Sequence, residues 1–163
     1  MGQGYGFKCK KCNHEYSVST GVGFIYPTIY EDTIKVAQAG EYGEEWKQLI
    51  DSKRYMDIDA SEQVFVCECG NWKNEMDLSI YEPKNVDKVK KLKFGSVDIS
   101  EMNHLPYVME HDRRRLFKLA KEYLHMCDKC GKKMKKIDED SISKLKCPKC
   151  GELNETEDLI LFD

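Results

Sequence analysis

The chain has 163 residues, of which 40% are hydrophobic and 34% charged, and its formal net charge is −3 at pH 7. This length allows one ordinary domain or two small ones. The modest apolar content predicts small hydrophobic cores that need additional stabilisation by disulfides or bound metals. The sequence has no run of about 18 apolar residues and no apolar export signal near its first residue, so we expect a cytoplasmic protein with no membrane contact.

The first predicted element is a metal knuckle at Cys9 and Cys12. In a knuckle the chain turns tightly around a metal, backbone N–H groups point at the thiolates, and the residue closing the turn takes a positive φ, which Asn13 tolerates. Three further pairs repeat this arrangement: Cys67/Cys69 with Gly70, Cys127/Cys130 with Gly131, and Cys147/Cys150 with Gly151. Eight cysteines without an export signal favour metal ligation over disulfides.

A helical insertion is predicted at residues 27–56, after the first knuckle. Apolar residues recur at helical spacing in two runs, one ending near Gly40 and one in GEEWKQLI. The aromatic stretch VGFIYPTIY (22–30) is interpreted as packing, with an exposed recognition surface as the alternative.

A helical connector is predicted at residues 84–126. Asn85 is a plausible cap and Gly95 a plausible stop for a short basic helix. A longer helix is expected over 107–125. Its apolar stripe would be Leu116, Leu119, Ala120, Tyr123 and Leu124, and its charged face Arg113, Arg114, Lys118 and Lys121.

The basic charge of the chain is concentrated around this connector. Residues 84–136 hold 15 Lys and Arg against 7 Asp and Glu, whereas both flanking segments are acidic. A charged helix face is usually only solvated, but this segment could also contact nucleic acid or an acidic protein. The net charge of −3 argues against strong nonspecific binding to nucleic acid.

The spacing of the knuckles predicts how they combine. In CDKCG and CPKCG, 16 residues (131–146) separate Cys130 from Cys147, which matches a four-cysteine zinc spacing, so Cys127, Cys130, Cys147 and Cys150 are predicted to share one metal. The segments 67–81 and 147–162 align as an internal repeat of knuckle, turn and apolar strand. Cys9, Cys12, Cys67 and Cys69 are then predicted to form the other site, with replacement of one thiolate by His14 as the alternative.

Both halves resemble zinc ribbons, the rubredoxin-like fold of short antiparallel strands around a metal held by four cysteines. The resemblance implies an α+β protein with two small antiparallel zinc ribbons and two Zn²⁺ per chain. The expected organisation is an N-terminal ribbon at 1–83 that contains the helical insertion, a helical connector at 84–126 and a C-terminal ribbon at 127–163. The Cys-x-Cys spacing at 67/69 and the long insertion depart from the family pattern.

The expected function is that of a non-catalytic, zinc-binding adaptor with a protein or nucleic-acid partner, because eight cysteines leave no metal position open for a substrate. One alternative is electron transfer, since rubredoxin-like knuckles also hold iron. Another is a transcription-associated ribbon, in which Asp138, Glu139 and Asp140 resemble the acidic hairpin tip of transcript-cleavage factors. The histidines His104, His111 and His125 show no spacing typical of a catalytic site and are interpreted as surface or packing residues.

Overall fold

The computed structural model describes residues 2–52, 55–99, 102, 104–153 and 156–162. Helices and antiparallel strands are mixed along the chain, which confirms the predicted α+β class. In chain order the elements are β1 (Gly2–Lys8), β2 (Glu15–Thr20), α1 (Tyr26–Ala39), α2 (Glu44–Ser52), β3 (Asp57–Ile58), β4 (Glu62–Val66), β5 (Trp72–Met76), β6 (Ile80–Pro83), α3 (Val86–Val89), α4 (Glu110–Leu116), β7 (Phe117–Lys121), β8 (Lys135–Lys136), a 3₁₀ helix (Glu139–Lys144) and β9 (Thr156–Phe162).

Contacts divide the chain into two units, and each unit is assembled from separated segments. Unit 1 consists of Met1–Phe24, Ser61–Asp77 and Leu124–Asp163, and unit 2 of Ile25–Ala60 and Leu78–Tyr123. These units are defined by contacts in space, whereas the predicted domains are consecutive segments of the sequence. The sequential division into folding domains at 1–83, 84–126 and 127–163 stays a prediction.

Unit 1 contains the same architecture twice. One three-stranded sheet has the order β2-β1-β9 and the other β5-β4-β8. In the first sheet, β1 and β2 form a hairpin with the 9/12 knuckle at its turn, and β9, which follows the 147/150 knuckle, pairs antiparallel with β1. In the second sheet, β4 and β5 form a hairpin with the 67/69 knuckle at its turn, and β8, which follows the 127/130 knuckle, pairs antiparallel with β4. The two sheets are nested along the chain, because β4, β5 and β8 all fall between β2 and β9.

A common core lies between these two sheets. Phe7 and Val18 from the first sheet pack with Val64 from the second, together with Ile142 and Leu145 from the 3₁₀ segment. The sheets are also joined at their edges by the backbone bridge between Gly21 and Glu62 and by Asn74, whose amide side chain donates to the Ser19 carbonyl (2.8 Å) and accepts from the Ser19 N–H (2.7 Å).

Unit 2 confirms the helical insertion. α1 has a proline in its first turn and ends at Gly40, whose φ of 86° is the left-handed conformation of a C-cap. In the stretch VGFIYPTIY, Tyr26 and Tyr30 are buried, whereas Phe24 and Ile25 are 84% and 63% exposed. The stretch therefore both packs and presents apolar surface.

The connector is less helical than predicted. Asn85 caps α3 by accepting from the Lys88 N–H at 3.0 Å, as expected, although α3 ends at Val89, before Gly95. The predicted helix over 107–125 is wrong: α4 ends at Leu116, and β7 pairs antiparallel with β6.

Candidate metal centres

All eight predicted cysteines lie in unit 1, and the structure gathers them into two groups of four. Site A contains Cys9, Cys12, Cys147 and Cys150, and site B contains Cys67, Cys69, Cys127 and Cys130. Within each site the four sulfur atoms lie within 4.8 Å of one another. That these residues bind a metal stays a prediction, but the geometry allows it.

The predicted combination of knuckles is wrong. The short spacing between Cys130 and Cys147 suggested one shared site, yet the structure places these cysteines in different sites. The reason is topological. The knuckle at 127/130 leads into β8, which pairs with β4 and so lies beside the 67/69 knuckle, and the knuckle at 147/150 precedes β9, which pairs with β1 beside the 9/12 knuckle.

The sulfur positions fit a tetrahedral metal site. In site A, Cys9 Sγ lies 3.5 Å from Cys150 Sγ, and Cys12 Sγ lies 3.7 Å from Cys147 Sγ. The corresponding separations in site B are 3.3 Å and 3.6 Å. Zinc–sulfur bonds of about 2.3 Å place the corners of a tetrahedron about 3.8 Å apart, whereas a disulfide bond measures about 2.05 Å.

The backbone of every knuckle has the predicted conformation. The closing residues Asn13, Gly70, Gly131 and Gly151 all have positive φ, between 55° and 86°. In each knuckle the N–H of the closing residue donates to the carbonyl of the first cysteine, over 2.8 to 2.9 Å. The turns are therefore shaped by their own backbone, which preorganises the thiolates for a cation.

Polar groups favour the thiolate form of one cysteine in each site. Burial opposes ionisation of Cys9, but backbone N–H groups of Cys12 and Lys11 lower the pKa of its thiol to about 6. Burial likewise opposes ionisation of Cys127, whose pKa is lowered to about 6 by backbone N–H groups of the same knuckle and by the Asn71 amide. Metal ligation needs this thiolate form.

Asn71 is a contributor that the sequence analysis missed. Its Nδ2 donates to Cys127 Sγ over 3.5 Å, although the two residues lie in different knuckles. Nothing in the sequence distinguishes Asn71 from other polar residues after a turn, because its role depends on the nested pairing of knuckles.

The histidines lie outside both groups of ligand atoms. His14 is not among the clustered ligands, so the alternative in which it replaces a thiolate has no support, and its ring lies against Tyr16. His125 is buried, contacts Glu75 Oε2 and the Asp77 carbonyl at 3.0 Å, and stacks on Phe65. It is a packing residue, as interpreted.

The acidic residues compared with a hairpin tip lie elsewhere in the fold. Asp138 is the N-cap of the 3₁₀ helix Glu139–Lys144, and Ile142 of that helix packs into the common core. The segment connects a knuckle of site B to a knuckle of site A and forms no hairpin.

Two further findings concern membrane-spanning helices and similarity to known proteins. None of its helices, in the part that the structure describes, is long and apolar enough to cross a membrane. Comparison with protein-family models, curated proteins and solved structures finds no match.

Proposed function

We propose that this chain is a zinc-binding, non-catalytic interaction protein built on two nested zinc ribbons, each holding one Zn²⁺. The observation that carries the proposal is the gathering of all eight cysteines into two groups of four. Zinc prefers four tetrahedral thiolates in structural sites, and the sheet of three strands with two knuckles in each half is the arrangement expected of a ribbon.

The role of the metal is structural in this proposal. Four protein ligands complete a tetrahedral site and leave no position for water or substrate, which zinc hydrolysis requires. Thiolates that bind zinc also need a reducing environment, which supports the expected cytoplasmic location.

Since the proposed metal sites have no open position for a substrate, we infer that the chain acts by binding a protein or a nucleic acid. The basic segment 84–136 was the expected contact surface, but many of its side chains are held by nearby acceptors. These include Lys84, Arg113, Arg114, Arg115, Lys118, Lys121, Lys132 and Lys136. A partner surface therefore has to be sought among the remaining basic residues.

Electron transfer through iron is the second candidate. Cys69 and Cys130 of site B and Cys150 of site A are exposed, so an edge of each thiolate group reaches solvent. Electron transfer from a four-thiolate iron site requires such an edge. The same measurement separates both candidates, because ferric iron on four thiolates is coloured and zinc is not.

The test is metal content per chain by elemental analysis, with a visible spectrum, on protein produced without added metal. We expect two zinc ions and no visible absorption. Iron with a red colour would replace the proposed function by electron transfer, and a metal-free, folded chain would refute both.

Paired variants test which cysteines share a metal. Cys12→Ser with Cys150→Ser removes two ligands from site A, so one chelator-resistant zinc should remain. Cys12→Ser with Cys69→Ser removes one ligand from each site, so no chelator-resistant zinc should remain. The reverse result would restore the sequential combination of knuckles.

A further inference from the structure

A cleft in unit 1 lies between the knuckles of the two metal centres. Its volume is about 300 Å³. One wall comes from site B and its following strand, and the other from the site A knuckle at 147/150. The lining residues are Cys69, Gly70, Asn71, Trp72, Lys129, Lys146, Cys147, Pro148, Lys149 and Gly151.

Among the described residues that line the cleft, three carry a positive charge and none carries a carboxylate. Lys129, Lys146 and Lys149 all face it, and none of them forms an ion pair with a residue that the structure describes. These three lysines are exposed and bring a charge of +3 into one concave, polar site. Cys69 and Cys147 also line it, and their metal centres, each with four thiolates and one Zn²⁺, would carry a net charge of −2 each, so the lysines offset part of that charge. Their exposed ammonium groups are nevertheless the cationic groups that an anionic ligand in the cleft would contact.

The acidic residues next to these knuckles are already engaged by other lysines. Glu68 pairs with Lys132 at 3.4 Å. Asp128 pairs with Lys73 at 2.6 Å, and Glu152 with Lys11 at 3.1 Å. Since these lysines do not line the cleft, local ion pairing leaves the three cleft lysines available to a ligand from outside.

The walls of the cleft are held in place by contacts across it. Trp72 donates its indole N–H to the Lys146 carbonyl over 2.8 Å, which joins β5 to the chain entering the site A knuckle. Asn71 is held by its contact with Cys127 Sγ. A preorganised cleft costs less conformational entropy on binding than a mobile loop.

We propose that this cleft binds the phosphodiester backbone of a single-stranded nucleic acid. Lysine ammonium groups are point-charge donors that suit phosphate oxygens. Three of them in a small groove match the basic channel by which proteins follow a single strand. The proposal rests on the proposed function, because both walls are knuckles that the metals hold in shape, and it names the partner of that scaffold.

The test is binding of the zinc-loaded full chain to a fluorescein-labelled, mixed-sequence single strand of about 12 nucleotides, followed by anisotropy. Three phosphate contacts on a single strand predict a salt slope of about −2. Binding should therefore weaken about 20-fold between about 50 and 200 mM salt. Unlabelled single strand should compete, whereas inorganic phosphate, a mononucleotide and the matching duplex should compete poorly.

A pair of triple variants isolates the cleft. Lys129→Gln, Lys146→Gln and Lys149→Gln together should weaken binding at low salt at least about tenfold and flatten the salt dependence. Lys132→Gln, Lys135→Gln and Lys144→Gln make the same charge change outside the cleft and should cost no more than about threefold. Zinc content is measured for every variant.

Three results would overturn the proposal: no binding by the zinc-loaded chain, equal losses in the two triple variants, or duplex binding as tight as single-strand binding. The first would mean that the lysines only offset thiolate charge. If the cleft variant loses zinc, a second experiment on the unaltered chain tests the proposal instead. The bound single strand should then protect Lys129, Lys146 and Lys149 from an amine-modifying reagent, and a lack of protection would overturn the proposal. A chain that holds no zinc would be detected separately and would refute the proposed function.

Discussion

At the scale of single residues, the least expected arrangement is the burial of Arg113 in unit 2. Its guanidinium contacts Asp57 through Nε and Asp59 through Nη1, the latter at 2.9 Å, and donates to the Tyr26 hydroxyl at 3.2 Å. It also lies 5.4 Å from the centroid of the Tyr81 ring. The expectation that Arg113 belongs to a solvated or partner-binding face is wrong, because tertiary packing supplies it with two carboxylates.

Two buried carboxylates share this one guanidinium, and the pKa of Asp57 reflects the imbalance. Burial, and to a smaller extent Asp59, raises the pKa of Asp57, whereas Arg113 lowers it, and the net result is a pKa of about 6. The folded chain therefore holds a proton on Asp57 more tightly than the unfolded chain. The stability linked to this proton is complete below the unfolded pKa of about 3.9 and is lost as the pH rises through about 6.

Asp57→Asn is expected to remove this pH dependence. Between about pH 5 and pH 7 the free energy of unfolding of the unaltered chain should fall relative to that of the variant by about 1 kcal/mol. The measurement is urea unfolding of both chains across this range. Taking the difference between the two chains cancels proton-driven metal loss, which affects both. A difference that stays constant with pH would show that Asp57 does not titrate there.

At the scale of elements, the segment 117–121 shows how pairing overrides helix propensity. FKLAK contains good helix formers, yet it forms the strand β7, because β6 offers its backbone hydrogen-bond partners. Consecutive Leu116 and Phe117 are both buried, as a change from helix to strand allows. Leu119, which the helical stripe would bury, is 53% exposed, and so is Leu124.

Leu116 and Leu119 provide a matched test of this assignment. Leu116, which is 6% exposed, packs in the core of unit 2, so Leu116→Ala should lower the free energy of unfolding by about 2–5 kcal/mol. Leu119→Ala should change it by about 0.5 kcal/mol or less. Chemical unfolding of both variants measures the two costs, and equal large costs would favour the continuous apolar stripe of a helix over 107–125.

At the scale of the whole chain, site A is complete only when the first and last knuckles in the sequence come together. Its cysteines come from both ends of the chain, whereas site B is completed by residue 130. Both sites nevertheless adjoin one core in unit 1, in which Phe7 of β1 packs with Val64 of β4. We therefore expect site B to form without site A, but with lower stability.

A chain ending at Lys146 tests the nested order. This truncation removes Cys147, Cys150 and β9 but keeps Leu145 in the common core. The structure predicts one zinc per chain, with the four cysteines of site B protected from alkylation and Cys9 and Cys12 reactive. Mass spectrometry after thiol alkylation of the zinc-loaded protein identifies the protected residues.

The sequential combination makes a different prediction for the same truncated chain. Cys9, Cys12, Cys67 and Cys69 would be protected, and Cys127 and Cys130 would react. Cys67 and Cys69 are protected under either arrangement, so they serve as the internal control. Protection of Cys9 and Cys12 would therefore contradict the nested topology.

The knuckles, the helical insertion and the α+β class could be predicted from the sequence because each depends on local chemistry. A tight turn around a metal requires closely spaced cysteines and a residue that tolerates positive φ, and Asn13, Gly70, Gly131 and Gly151 all meet this requirement. The cap at Asn85 and the helix stop at Gly40 are equally local, since each satisfies backbone groups within a few residues.

Only the tertiary structure decided which knuckles share a metal, where Arg113 lies and that residues 117–121 form a strand. These features depend on strand pairing between segments distant in sequence, such as β1 with β9 and β4 with β8. Every knuckle offers the same two thiolates, so spacing along the chain carries no information about which partner lies nearest in space. The sequence by itself thus determined eight candidate ligands and their local geometry, and the pairing of strands combined them into two sites.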